Sequence, residues 1–202
     1  MLALPLERRY VLGPIGVSAL LFLIYVVPDA WRFQLTFERD LIEAGEYWRI
    51  LTGQLVHLDI SHLVLNILGV WVMFLLFAEH APRWHYVAVV TLLALFSNLG
   101  MLWFAPEIDR YVGFSGVLYG LFAWGALLDV YKKVRFGWIL LIGVLLKVTW
   151  EYIAGPVALG AASTANLATA AHFFGMVGGL FVAGWQVSRS RIRRSDKSVT
   201  LD

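Results

Sequence analysis

Tyr111-Val112-Gly113-Phe114-Ser115-Gly116-Val117-Leu118-Tyr119-Gly120 is the stretch that organises the reading of this chain. A short turn flanked by glycines runs straight into an apolar segment, Val117 to Leu128, with a serine at the junction. Glycine at 113 and 116 permits backbone angles and close approaches that a side chain forbids. A serine opening a helix lies beside unpaired N–H groups and the positive end of the helix dipole, where a developing anion is stabilised. Alone, a Gly-x-Ser-Gly segment is explained by helix capping. What surrounds it in the sequence decides whether it does more.

The 202 residues are 60% hydrophobic and 15% charged, with a mean hydropathy of +0.73. A soluble domain is nearer half apolar and a quarter charged. Several apolar runs approach the roughly 20 residues that cross a bilayer. They lack period-2 alternation, so the only lipid-compatible structure left is a bundle of helices. The chain reads as all-α and polytopic, with spans at Val11–Val27, Leu58–Ala78, Trp84–Phe104, Ser115–Asp129, Phe136–Ile153 and Leu167–Val187. Residues 1–10 form a basic head, 11–187 a six-helix core and 188–202 a basic tail expected to be disordered. The first span has the basic head and apolar core of a signal peptide but no small-x-small cleavage site, so it is kept as a helix. Residues 29–57 mix Trp31, Phe33, Phe37, Tyr47 and Trp48 with carboxylates, which suits a partly helical loop in the headgroup layer. The small-residue loop at 154–166 reads as a mobile cap, and the fifth span as a side gate. Without cysteine there is no disulfide framework and no thiolate chemistry.

Lys and Arg cluster in the head, the second–third turn, the fourth–fifth turn and the tail (Arg8, Arg9, Arg83, Lys132, Lys133, Arg135, Arg189, Arg191, Arg193, Arg194, Lys197). By the positive-inside rule both termini are cytoplasmic. The second, fourth and sixth spans then all enter from outside, placing His62 and Asn66, Ser115, and His172 at one depth in the outer third of the membrane. Each intramembrane polar residue is costly and therefore a functional candidate, although a lone histidine or asparagine also serves as glue between helices. Together they supply what a serine hydrolase needs: an alcohol, an imidazole to take its proton, and oxyanion donors. On the sixth span His172, Gly175 and Gly179 share a face; on the fourth, Gly116 and Gly120 do. Such small pairs let helix backbones approach and would bring Ser115 to His172, with Tyr119 flat against the imidazole. Metal binding is disfavoured because no carboxylate is expected at the depth of the histidines. A small channel is disfavoured because the polar residues stop in the outer third.

These residues carry a resemblance. Trp48-Arg49, the run His57-x4-His62-x3-Asn66 with Glu79 at the end of that span, Gly113-Phe114-Ser115-Gly116 with Tyr119, and Ala171-His172 with Gly175 and Gly179 together resemble the rhomboid family of intramembrane serine proteases. The resemblance implies a Ser115–His172 dyad without a third carboxylate, and an oxyanion site of the Ser115 N–H, His62 and Asn66. Gly113, Gly116, Tyr119, His57, Trp48, Arg49, Thr169 and Gly175 would be supports. Thr169 departs from the family's usual Asn, and the chain reads as a bare core without a cytosolic domain. The Thr52-Gly-Gln-Leu-Val-His-Leu58 run and the Ala171-His-Phe-Phe-Gly175 segment look most like the bacterial rhombosortase branch, whose substrates carry a Gly-Gly motif, an apolar helix and a basic tail. The expected function is thus endoproteolysis of membrane-tethered proteins at a bacterial inner membrane, with the active site opening outward. No metal or other cofactor and no nucleic-acid partner are expected. The alternative is a silent rhomboid-like protein that escorts client helices, disfavoured because both serine and histidine are present.

Overall fold

The computed structural model describes residues 6–155 and 162–199. The main helices are α1 (Arg8–Tyr25), α5 (Ile60–Phe77), α6 (Trp84–Phe104), α7 (Ser115–Tyr131), α8 (Gly137–Ala154) and α9 (Ala162–Val199). Three short helices, α2 (Asp29–Phe33), α3 (Arg39–Glu43) and α4 (Arg49–Thr52), lie between α1 and α5. Five described helices are long and apolar enough to cross a bilayer, and α7, at 17 residues, is the shorter sixth. The result is an all-α, multi-pass membrane bundle.

α7 is the central helix, with Val117, Leu121, Ala123, Trp124 and Ala126 almost fully buried. It packs most extensively against α9 and also touches α5, α6 and α8. Lipid offers no hydrophobic drive between helices, so their contact depends on close van der Waals fit. The glycines provide it. A Cβ at Gly120 would lie 2.8 Å from the Gly175 carbonyl oxygen, and one at Gly175 would overlap the Gly116 carbonyl. Large apolar side chains such as Leu65, Trp84, Leu146 and Ile153 point outward, where lipid replaces water.

The segment between α1 and α5 is a clamp over one end of the helix bundle. A two-residue antiparallel bridge pairs β1 (Phe37–Glu38) with β2 (Arg110–Tyr111). Arg39, nearly buried, donates to the carbonyls of Met101 and Leu102 in the last turn of α6 and to those of Ala105 and Ile108 just beyond it. Gln54 Nε2 donates to Asn98 Oδ1 at 2.6 Å, and Asn98 Nδ2 to the Ile50 carbonyl at 2.7 Å, tying the clamp to α6.

Two expectations change. The basic segment after Val187 is not disordered: α9 continues through it to Val199. Residues 188–199 contain no Gly or Pro, arginine is a good helix former, and positive charge favours a helix C-terminus. The sixth helix also begins earlier than Leu167, at Ala162, in a run of helix-favouring alanines. The expected cap therefore shrinks, and its centre, 156–161, lies outside the described residues.

Candidate active site

Ser115 is the first residue of α7, so its own N–H and those of the next residues have no partner within the helix. The turn before it is fixed from two sides. Gly113 has φ +119, a left-handed conformation suited to glycine, and its N–H donates to the Gly53 carbonyl of the clamp at 3.3 Å. A Cβ at Gly113 would lie 2.6 Å from Cε1 and Nε2 of His62, so this glycine admits the imidazole to the mouth of α7.

His172 reaches the serine from α9, with Nε2 2.9 Å from Ser115 Oγ. The backbones of α7 and α9 meet at Gly116, Gly120, Gly175 and Gly179, and this closeness lets two short side chains span the gap. Tyr119, one turn below Ser115, lies against the imidazole with ring centroids 4.3 Å apart and planes tilted by 42°. Ser97 Oγ donates to the Ala171 carbonyl at 3.1 Å, fixing α9 to α6 just before His172. Thr169 is buried one turn earlier.

On α5, the Asp59 carboxylate caps the helix by accepting the His62 N–H at 2.8 Å. Asn66 is buried and donates one amide hydrogen to the His62 carbonyl at 3.1 Å; the amide carries a second. His57 packs edge-on to His62 with centroids 5.0 Å apart, and its Nδ1 lies 3.1 Å from the Leu55 carbonyl. Burial, then the neighbouring His62, lowers its pKa to about 4, against an opposing pull from the Leu55 carbonyl. It is therefore neutral at physiological pH. Arg49, 1% exposed, donates to the carbonyls of Phe33 and Thr36 and pairs with Glu46, while the Trp48 indole N–H donates to the Gln34 carbonyl. Both residues hold the clamp and do not touch the serine.

Three residues near the serine escape the sequence reading. Tyr111 is buried with its hydroxyl 3.4 Å from Ser115 Oγ, and burial raises its pKa, so it stays protonated. Glu151 and Lys147 on α8 form an ion pair at 2.8 Å, and Glu151 Oε2 faces His172 Nδ1 at 4.0 Å. The expectation that no carboxylate shares the depth of the histidines is thus wrong. An acid near a helix end reads as a solvated headgroup contact, and only the rotation of α8 turns it inward. The i, i+4 spacing of Lys147 and Glu151 is the signal that could have found the pair.

The site combines a serine at a helix N-terminus, an imidazole in hydrogen-bond contact with it, and polar groups of α5 close by. Comparison with known proteins places it in a lineage. Rhomboid protease GluP of Bacillus subtilis (strain 168) is 28% identical over 146 residues, 72% of this chain but 27% of that protein. Putative rhomboid protease YdcA of the same organism is 22% identical over 173 residues, covering 84% of both chains. Rhomboid protease GlpG of Serratia proteamaculans (strain 568) is 26% identical over 180 residues, 86% of this chain and 63% of that protein. The chain therefore spans about a quarter of the first relative's length and just under two thirds of the third's. A family model described as the Rhomboid domain matches residues 44–190, most of the sequence, and the chain belongs to the rhomboid family.

Proposed function

We propose that the protein is an intramembrane serine endopeptidase that cuts membrane-tethered proteins. The observation that carries this reading is the 2.9 Å contact of Ser115 Oγ with His172 Nε2 across two helices. Ser115 attacks the scissile carbonyl while His172 takes its proton, forming a tetrahedral oxyanion and then an acyl-enzyme. His172 returns the proton to the leaving amine, and a water activated by the same imidazole releases the acyl group. The Ser115 N–H, His62 and Asn66 stabilise the oxyanion; losing one such donor typically costs about 10²–10³ in rate.

A scissile peptide held in a helix has its backbone hydrogen bonds satisfied, so attack requires local unwinding, which small residues favour. This agrees with a Gly-Gly segment followed by an apolar helix and a basic tail as the substrate, as in the rhombosortase branch. Both termini lie in the cytoplasm of a bacterial cell, and the dyad opens toward the outer face of the inner membrane. The test is co-expression with a reporter bearing such a tail. Wild type releases it; Ser115→Ala and His172→Ala do not. Processing retained in both variants ends the reading, and a wild type that binds the reporter without cutting it supports the escort alternative.

A further inference from the structure

We propose that Glu151 is a third member of the catalytic apparatus, a positioning carboxylate that holds His172 through Nδ1 and stabilises the imidazolium formed during attack. This inference rests on the serine-protease reading of Ser115 and His172. To accept the proton of Ser115, Nε2 must be unprotonated, so the proton of neutral His172 resides on Nδ1. That Nδ1 is buried and has no hydrogen-bond partner, which a buried donor rarely tolerates. The carboxylate facing it is Glu151, with Oε2 at 4.0 Å.

At 4.0 Å the pair lies just beyond hydrogen-bond reach, and the groups around it account for the gap. Lys147 holds the same Oε2 at 2.8 Å, donates to the Tyr119 hydroxyl and lies 4.1 Å from the centre of the Tyr119 ring. Tyr119 in turn covers the imidazole. When the proton of Ser115 passes to Nε2, His172 becomes a cation, and the Glu151 carboxylate swings from the lysine toward Nδ1–H. When the proton leaves for the departing amine, the carboxylate returns. Glu151 stays ionised throughout, and no proton passes to it. The neighbouring residues fix the register: Tyr152 stacks on Phe173 with centroids 4.3 Å apart and planes 10° off parallel, and Val148 is fully buried.

The charged or titratable groups facing His172 are Lys147 and Glu151 from α8, Tyr119 from α7 and His62 from α5. The test follows the rate of Ser115 labelling by a fluorophosphonate against pH, in detergent-purified full-length protein, alongside cleavage of the Gly-Gly reporter. Glu151→Gln removes the negative charge. It is expected to slow labelling about tenfold and to move the acid limb down by about one pH unit, because one unit of imidazole pKa is one factor of ten. Lys147→Met removes the competing cation and moves the acid limb up. A carboxylate that merely anchored Lys147 would give both variants the same phenotype. Glu151→Asp, which keeps the charge, restores the wild-type limb. If Glu151→Gln does not fold, Lys147→Met/Glu151→Gln compared with Lys147→Met alone reads the carboxylate's effect with the lysine absent. Superimposable pH profiles in either comparison overturn the proposal. Wild-type labelling in His172→Ala instead overturns the protease reading on which it rests.

Discussion

Gly175 and Gly116 face each other with no space for a side chain between them: a Cβ on residue 175 would overlap the carbonyl oxygen of Gly116. This contact sets how closely α9 lies against α7, and the 2.9 Å between Ser115 and His172 depends on it. Gly175→Ala forces two helix backbones apart, since a carbonyl within a helix cannot rotate away. Overpacking of this kind typically costs about 1–3 kcal/mol. We expect a lowered melting temperature in detergent and at least a tenfold loss of fluorophosphonate labelling. Labelling at the wild-type rate would show that the dyad tolerates a wider gap.

Gly113→Ala acts on the other flank. The residue has φ +119, and the added methyl would press on Cε1 and Nε2 of His62 at 2.6 Å. If His62 has the proposed oxyanion role, displacing that imidazole lowers kcat by about 10²-fold, as loss of one such donor typically does, with little change in KM. Steady-state cleavage of the reporter separates the two constants; a change confined to KM would instead place His62 in substrate binding.

His57 makes stability depend on pH. Its folded pKa lies near 4 and its ordinary value is 6.5, so between these values the unfolded chain binds the proton more readily. The folded state is therefore fully favoured above about pH 6.5 and loses stability as the pH falls toward 4. Thermal unfolding across this window is expected to show a drop that His57→Gln flattens. Equal slopes for the two proteins would count against the assignment.

Arg39 gathers four carbonyls at and just beyond the end of α6. Hydrogen bonds to a charged donor are each worth about 1.5–3 kcal/mol, and they are not additive. Arg39→Met is expected to destabilise the protein and to speed hydrogen exchange near Ala105–Ile108, with Arg39→Lys failing to rescue. The planar guanidinium reaches four carbonyls at once, which a point ammonium does not. Rescue by lysine would mean that charge alone suffices.

The spans are legible because hydropathy is a local property. Trp84–Phe104 is bounded in sequence as it is in the structure, by Pro82-Arg83 before it and Ala105-Pro106 after it. The meeting of α7 and α9 is also legible, since small residues four apart mark a face that a neighbouring backbone can approach. The helical continuation of α9 past Val187 is less so, because a run of charge reads equally as solvated coil or solvated helix.

Taken alone, the sequence determined that the chain is a bundle of apolar helices and that Ser115, His172, His62 and Asn66 enter it from one end. Length, hydropathy and the distribution of arginine and lysine suffice for that. Only the tertiary structure decided which way each helix turns about its own axis. α8 has few buried residues, so its pattern does not say which side faces inward, and the approach of Glu151 to His172 emerges once α7 and α9 hold it in place. Depth in a membrane is written along the chain; rotation is set by the packing of neighbours.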